Sequence, residues 1–473
     1  MAEENTKVAK SKGRASWSGK WGFILAAAAS AVGLGNMWRF PYLAAKYGGG
    51  TFLITYIILV VTLGFALMMG ETALGRLTKQ SVTGAFAHFG KKYALIGVLA
   101  CLVPMIIMPY YCVIGGWVTK FMVSYVTEAP SIIAGDTYFS DFIMSTGPDT
   151  FLWMIVFLAL AVLIVALGVR KGIESSNKVL MPLLILMAIG ISIYVATLPG
   201  AADGLAYYLI PDVSKISAEM IVAAMGQMFF SLSLAMGIMV TYGSYFGPED
   251  DLEHSVRRVE IFDTGVAILA GFMVIPVSVA VMGSADVVAT KAGPGLMFGV
   301  LPTVFDKLGA AGPIIGFVFF ALVFFAALTS AVSIFETNVS CIQDAFKTSR
   351  VTAIVVCAIE ALVLGVVCNL GYNAWLGIDP MYTLFGIGDY QDHQILDFMD
   401  FLSNTILMPI VAFLTCIFIG WIIKPKTIVD HVKQSSKFSG EKLFTVMIKY
   451  IAPIFVLIIM AFYILDTVGI LKL

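Results

Sequence analysis

Charge is what this chain has least of. Of its 473 residues only 12% are charged, 29 Lys or Arg against 30 Asp or Glu, where a soluble domain carries about 25%. The two signs nearly cancel, to a net charge of −1. Without a basic field there is nothing to attract DNA or RNA, so no nucleic-acid partner is expected. Cysteine is scarce as well. The six present (Cys101, Cys112, Cys341, Cys357, Cys368, Cys416) form no CxxC pair and lie in or beside apolar runs, so they read as small core residues. The four His show no HExxH or similar ligand spacing, which excludes the usual zinc signatures. No Walker A loop, paired catalytic Asp motif or Ser–His arrangement is present. ATP is therefore not the obvious energy source, and no enzymatic activity is expected.

What the chain has is apolar sequence. Hydrophobic residues make up 59% of it, and the mean hydropathy is +0.93. The runs are continuous, whereas the strands of a β-barrel would alternate. The expected fold is an all-α polytopic protein in a lipid bilayer. Since a spanning helix needs about 20 apolar residues, eleven candidate spans can be drawn, near 20–43, 50–76, 93–125, 150–168, 177–198, 218–245, 260–284, 312–345, 351–369, 398–424 and 443–468. The first 19 residues are polar and basic (Lys7, Lys10, Lys12, Arg14), which reads as a cytoplasmic segment and not as a cleavable signal. Alternate loops agree, with Arg76, Lys79, Lys91, Lys92, Arg170, Lys171, Lys347, Arg350, Lys424 and Lys426 on the same side. An odd number of spans then puts the C-terminus outside an inner (plasma) membrane.

Two spans carry their own interruption. The first reads AAAASAVGLGNMWRFP from Ala26 to Pro41, with Gly33 and Gly35 at mid-depth beside Ser30 and Asn36. The sixth reads GQMFFSLSLAMG from Gly226 to Gly237, with Ser231, Ser233 and Gly237 at mid-depth. Each Gly weakens a helix by about 1 kcal/mol relative to Ala. Exposed backbone inside a membrane survives only where it lines a cavity. Close helix packing by small residues is the alternative reading. The two interruptions head successive groups of five spans, a pattern that points to the binding site of a secondary transporter.

These motifs, with KYGGGTFLITY and GETALGR around span two, PYY in span three and FFAALTSAVSIFE in span eight, resemble the neurotransmitter:sodium symporter family, in particular its bacterial amino-acid branch. The resemblance implies a 5+5 inverted repeat, 20–198 and 218–424, with unwound helices one and six and an eleventh helix at 443–468 outside the repeat. It implies Na⁺-coupled import of a small substrate by alternating access, with two Na⁺. One sodium site would use Ala31, Asn36, Ser231 and Asp263. The other would use the carbonyls of Ala29, Val32 and Ala326 with the hydroxyls of Thr329 and Ser330. Asp263 stands where the family usually has Asn. It either supplies the negative charge that chloride provides in animal relatives, making chloride dispensable, or pairs with Arg257 or Arg258. The chloride-site positions Tyr56, Gln227 and Ser231 match that pattern, but Ala267 replaces a Ser.

Gly33 stands where monoamine carriers have Asp, which leaves room for a substrate carboxylate near Leu34, Gly35 and Tyr111. The amine would meet Ala31, Phe230, Ser231 and Ser233. The side-chain pocket would be lined by Ser30, Val32, Ile107, Tyr111, Phe230, Ser233, Met236, Ser330 and Ile334. It carries no charge, so a neutral aromatic or large aliphatic amino acid is expected. Arg39 with Asp400 resembles an outer gate. Arg14 with Asp344, beside Trp17 and Tyr245, resembles an inner one. Gly172 and Pro182 match a Gly-x9-Pro hinge. Glu71 and Glu336 match supporting positions, while Glu360 matches none. A proton-coupled carrier of the same 5+5 architecture, and a channel, remain the competing readings. Monomer and homodimer are both open.

Overall fold

The computed structural model describes residues 16–291, 293–387 and 393–467. Among them every regular element is helical. Lys20–Ala31 and Gly35–Lys46 form one bent span, α1, with 53° between its halves. Eight further spans are Gly50–Thr78 (α2), Lys91–Thr127 (α3), Asp149–Ala166 (α4), Val169–Ala196 (α5), then Leu252–Met282, Gly309–Phe346, Arg350–Leu370 and Ile395–Ile422. Between α5 and Leu252 lies a split helix, Ala218–Ser231 and Ile238–Ser244. We number it α6, which makes the four that follow α7 to α10. Glu441–Leu465 is α11. In order these elements fall on the eleven expected spans; among the described residues nine of them, ten with the bent α1, are long and apolar enough to cross a membrane, and the split α6 is shorter.

Helices α5 and α7 begin several residues before hydropathy places them. Their first turns carry charges that depress an apolar window but pair along the helix face: Glu174 with Lys178 at 2.7 Å and Glu253 with Arg257 at 3.1 Å, both spaced i,i+4. Several short helices in the connections were not foreseen, Ala201–Leu209, Leu301–Asp306 and Pro425–Val432 among them. Pro104 and Pro109 sit inside the 34-residue helical run of α3. Neighbouring helices tolerate such residues by satisfying the backbone groups they free. No pair of helices packs more extensively than α3 and α8.

The connection after α10, with its short helix Pro425–Val432, is fastened to the end of α2. Arg76 donates from Nε to His431 Nε2 at 3.0 Å, from Nη2 to the His431 carbonyl at 3.1 Å, and from Nη1 to Ser435 Oγ at 2.9 Å and the Asp250 carbonyl at 3.0 Å. His431 must be neutral to accept. Burial, with help from Arg76 and Lys79, pushes its pKa down to about 4. A folded-state pKa below the free value of about 6.5 means that the unfolded chain binds the proton first. This contribution is therefore complete above pH 6.5 and lost as the pH falls toward 4. We expect the melting temperature in detergent to drop across that window, and His431→Gln, whose amide oxygen still accepts, to flatten part of the drop. An identical pH profile for the variant would show that the contact contributes nothing.

Candidate functional site

The two interruptions lie side by side. α1 leaves its helix at Val32, which is extended at φ −74°, ψ 97°. α6 does so after Ser231, and Ser233, Ala235 and Gly237 all take positive φ, at 53°, 61° and 71°. Left-handed backbone costs a non-glycine residue roughly 1–3 kcal/mol, so two such residues in one turn mark stored strain at a site. The freed backbone groups are met by side chains, one from α1 itself and the rest from α2, α6 and α8. Asn36 Oδ1 accepts from Gly33 N–H at 3.2 Å, and Gln227 Nε2 donates to the Gly35 carbonyl at 3.1 Å. Ser233 and Ser330 both donate to the Ser30 carbonyl at 3.1 Å. Glu71 Oε1 accepts from Ala235 N–H at 2.8 Å, which gives its expected support role a specific contact. Gly35 allows a close approach: a Cβ there would lie 2.5 Å from the Phe230 ring.

Asp263 is fully buried and has three donors around it. Asn36 Nδ2 reaches it at 2.8 Å, Ser231 Oγ at 2.8 and 2.9 Å, and Tyr56 OH at 3.1 Å. The alternative pairing with Arg257 or Arg258 does not form; Arg257 binds Glu253. Ser231 and Asp263 thus bring oxygens together, the donor set a hard cation needs, while Asn36 turns its amide nitrogen to them and its oxygen to Gly33 N–H. At the other predicted ion site, Thr329 bonds the Phe325 and Ala326 carbonyls of its own helix, while Ser330 reaches across to α1.

Between the breaks lies a cavity of about 20 Å³, little more than the ~10–15 Å³ that a single water needs. All the residues expected to hold substrate line it except Val32, with Asn36 added. Above it lies a second, larger cavity of about 390 Å³. Leu34, Tyr111 and Phe230 border both, so the Tyr111 and Phe230 rings form the partition. Arg39 and Asp400 both line the larger cavity without forming an ion pair among the described residues. Arg39 donates to Tyr463 OH at 3.1 Å and lies 5.7 Å above the Phe230 ring, and Asp400 accepts from Asn404 at 2.6 Å.

The opposite end is closed. Trp17 packs edge-on against Tyr242 and Tyr245, with ring centroids 5.2 and 5.8 Å away, and its indole N–H donates to the Tyr242 carbonyl at 3.1 Å. Tyr245 OH donates to Glu336 at 2.7 Å. Asp344 accepts from Ser81 N–H at 2.6 Å. Arg14, its expected partner, lies outside the described residues. Gly172 and Pro182 both sit within the wound helix α5.

The profile of the sodium:neurotransmitter symporter family matches residues 14–141 and 141–470. The chain belongs to that family. It is 33% identical over 467 residues to an uncharacterized sodium-dependent transporter of Haemophilus influenzae, across 95% of this chain and 98% of the relative. It is 32% identical to the Bacillus subtilis transporter YhdH, across 96% and 98%. A crystal structure of MhsT in complex with L-phenylalanine superposes with a TM-score of 0.82 at 35% identity, covering 95% of this chain and 99% of that one. The protein is thus a sodium-dependent symporter of multi-pass helical architecture, and the family is one of transporters, not enzymes.

The sequence motifs did not reveal Arg350 as a partner of Glu336. It binds that fully buried carboxylate through both amino groups, at 3.0 and 2.6 Å, and the Val165 carbonyl at 2.9 Å. Spacing offered no signal, because the two residues sit on different helices. Tyr463 was missed for the same reason. Breaking a buried ion pair from one side leaves a charge uncompensated, at about 3–5 kcal/mol. Arg350→Met is expected to lower the melting temperature in detergent far more than Glu336→Gln does. Equal, small effects would show that solvent already screens the pair.

Proposed function

We propose that this symporter imports a neutral hydrophobic amino acid, aromatic or large aliphatic, with two Na⁺ and without need of chloride. The wall of the smaller cavity carries the reading. It combines irregular backbone from α1 and α6, Tyr111 OH and Ser233 Oγ for the charged ends of an amino acid, and Ile107, Phe230, Met236 and Ile334 for its side chain. No Lys, Arg, Asp or Glu lines it, so an acidic or basic side chain would be buried unpaired, at high cost. The L-phenylalanine held by MhsT, which has a similar fold, supports the same class of substrate.

Sodium and substrate share the α1 break. Ala31, Asn36, Ser231 and Asp263 would hold one ion beside the substrate carboxylate. Ala29, Val32, Ala326, Thr329 and Ser330 would hold the other. Asp263 is the fixed charge that makes chloride dispensable: it contacts Tyr56 and Ser231, positions where the chloride-dependent pattern recruits an anion.

Alternating access follows from two barriers of unequal kind. At the Arg39 end only the rings of Tyr111 and Phe230 cover the site, and Arg39 and Asp400 stand ready to draw together over them. At the Trp17 end, the aromatic cluster and the Glu336–Arg350 pair must separate. In this reading the Arg39 end faces outward and the N-terminal segment is cytoplasmic, in the inner membrane. The halves 20–198 and 218–424 are the inverted repeats that move against each other. Residues 1–19 and 443–468 lie outside them.

Uptake of the twenty amino acids into proteoliposomes under a sodium gradient is expected to favour Phe, Tyr, Trp, Leu or Ile. Met236→Phe, which fills the cavity, should lower affinity for the aromatic ones about tenfold relative to Ala or Val. An unchanged ranking would remove Met236 from the pocket. Replacing chloride with gluconate should leave uptake unaltered, whereas strict chloride dependence would overturn the role given to Asp263.

A further inference from the structure

α10 and α11 meet at a place that nothing above explains. The last turn of α10, Phe418–Ile422, and the stretch Met447–Ile451 of α11 are both wound wider than an α-helix, as π turns. The two wide turns lie against each other. Gly420 lets them close, since a Cβ there would lie 3.0 Å from the Ile448 carbonyl oxygen and from the Lys449 Cα. The Trp421 indole N–H then donates to the Lys449 carbonyl at 3.0 Å. The Lys449 ammonium sits 5.0 Å from the centre of the Trp421 ring and 5.1 Å from that of Tyr450. The two rings stand edge-on, 5.9 Å apart. A cation is thus framed by two aromatic rings.

The surroundings make this lysine unusual. Trp421 is 53% exposed and Tyr450 50%, and Ile454 and Leu457 continue the exposed face of α11 at helical spacing. In a chain that spans a bilayer such a face is covered by lipid. A charge facing lipid is costly unless it finds a counter-charge or reaches the interface. Among the described residues Lys449 forms no ion pair, whereas Lys433 takes Glu441 at 2.7 Å. Its depth is fixed by Trp421, one residue before α10 ends at Ile422. Beyond that end the connection 423–442 carries five lysines against Asp430 and Glu441. The ammonium therefore stands where headgroups begin, on the basic side of the molecule, and Trp and Tyr are the residues that favour this level.

We propose that Lys449, Trp421 and Tyr450 bind the phosphate of an anionic phospholipid from the leaflet at this end. The ammonium supplies the counter-charge, the Tyr450 hydroxyl a further donor, and Ile454 and Leu457 the apolar surface along which an acyl chain runs. The rings hold the ammonium in place beforehand, so less side-chain freedom is lost when the phosphate arrives. A zwitterionic lipid carries its own cation, which Lys449 repels, so the site prefers a lipid with net negative charge. Free phosphate shares the headgroup chemistry but has no chain to lay on α11. The bound lipid clamps α10 to the helix outside the repeat and touches none of the residues assigned to sodium or substrate. In the orientation proposed above, the leaflet is the inner one.

The full-length chain in detergent is titrated with phosphatidylglycerol, phosphatidylcholine or inorganic phosphate, and binding is read by native mass spectrometry and by melting temperature. Phosphatidylglycerol should bind about fivefold more tightly than phosphatidylcholine, the share one lysine contributes near an anionic surface, and should raise the melting temperature with its concentration. Inorganic phosphate should do neither. Lys449→Gln should weaken phosphatidylglycerol binding about fivefold, and Lys449→Arg should keep it within about twofold. Tyr450→Leu, which keeps the charge but removes the ring and hydroxyl, should also weaken it. Lys437→Gln, an exposed lysine of the connection, should leave it unchanged. Equal affinity for the two lipids would overturn the proposal, as would phosphatidylglycerol binding that neither Lys449→Gln nor Tyr450→Leu alters. An equal loss in Lys437→Gln would replace the site with a diffuse basic surface. Inorganic phosphate that matches the lipid would make it a free-anion site, and either result overturns the assignment to lipid.

Discussion

In a bilayer no water is available to hydrogen-bond stray backbone, so every N–H and C=O must find its partner within the protein. The rest of the structure depends on that constraint. Two helices are broken at mid-depth, and each unsatisfied group there would cost several kcal/mol. The structure meets the cost by placing the breaks against each other and surrounding them with Asn36, Glu71, Gln227, Ser233 and Ser330, each bonded to freed backbone. Under the proposed function Asn36, Ser233 and Ser330 would also meet the ion and the zwitterion, so that in this reading stability and binding share part of one set of atoms.

The two ends of the molecule differ in what must be disturbed to open them. At the Arg39 end, the rings of Tyr111 and Phe230 separate a cavity of about 390 Å³ from one of about 20 Å³, and the long contact from Leu34 N–H to Tyr111 OH, at 3.5 Å, is a weak tie to break. At the Trp17 end, an aromatic cluster is bonded to Glu336, which is in turn held by Arg350. That barrier must separate as a unit, and its start is also tied to α5 through Glu174. The asymmetry fits a conformation in which the site is shut, with only a thin cover on the side of the larger cavity.

Much of this was legible in the residue order. Hydropathy alone set the number and sequence of the spans, because a bilayer imposes one length on every crossing helix. Gly33, Gly35, Ser231 and Gly237 marked the breaks, because small polar residues at mid-depth have few other uses. The cavity wall followed from the matched motifs, with Val32 excepted. The starts of α5 and α7 did not follow, since charges that pair i,i+4 look like loop to a hydropathy window. The short helices Ala201–Leu209 and Pro425–Val432 lie in the connections between spans and are shorter than a crossing helix, so a span-length window does not register them.

Low charge by itself determined that this chain belongs in a membrane, since 59% apolar residues cannot be kept in water at so few charges. Order along the chain then determined where it crosses and where it breaks, since both depend on residues close in sequence. What each remaining charge does was decided only by the tertiary structure. Asp263 faces Asn36 and Tyr56 and not the nearby arginines, Arg350 reaches Glu336, and Arg39 reaches a Tyr 424 positions away. Inside a low-dielectric bundle a charge must find whichever partner folding brings within about 3 Å, and distance in sequence carries no record of that choice.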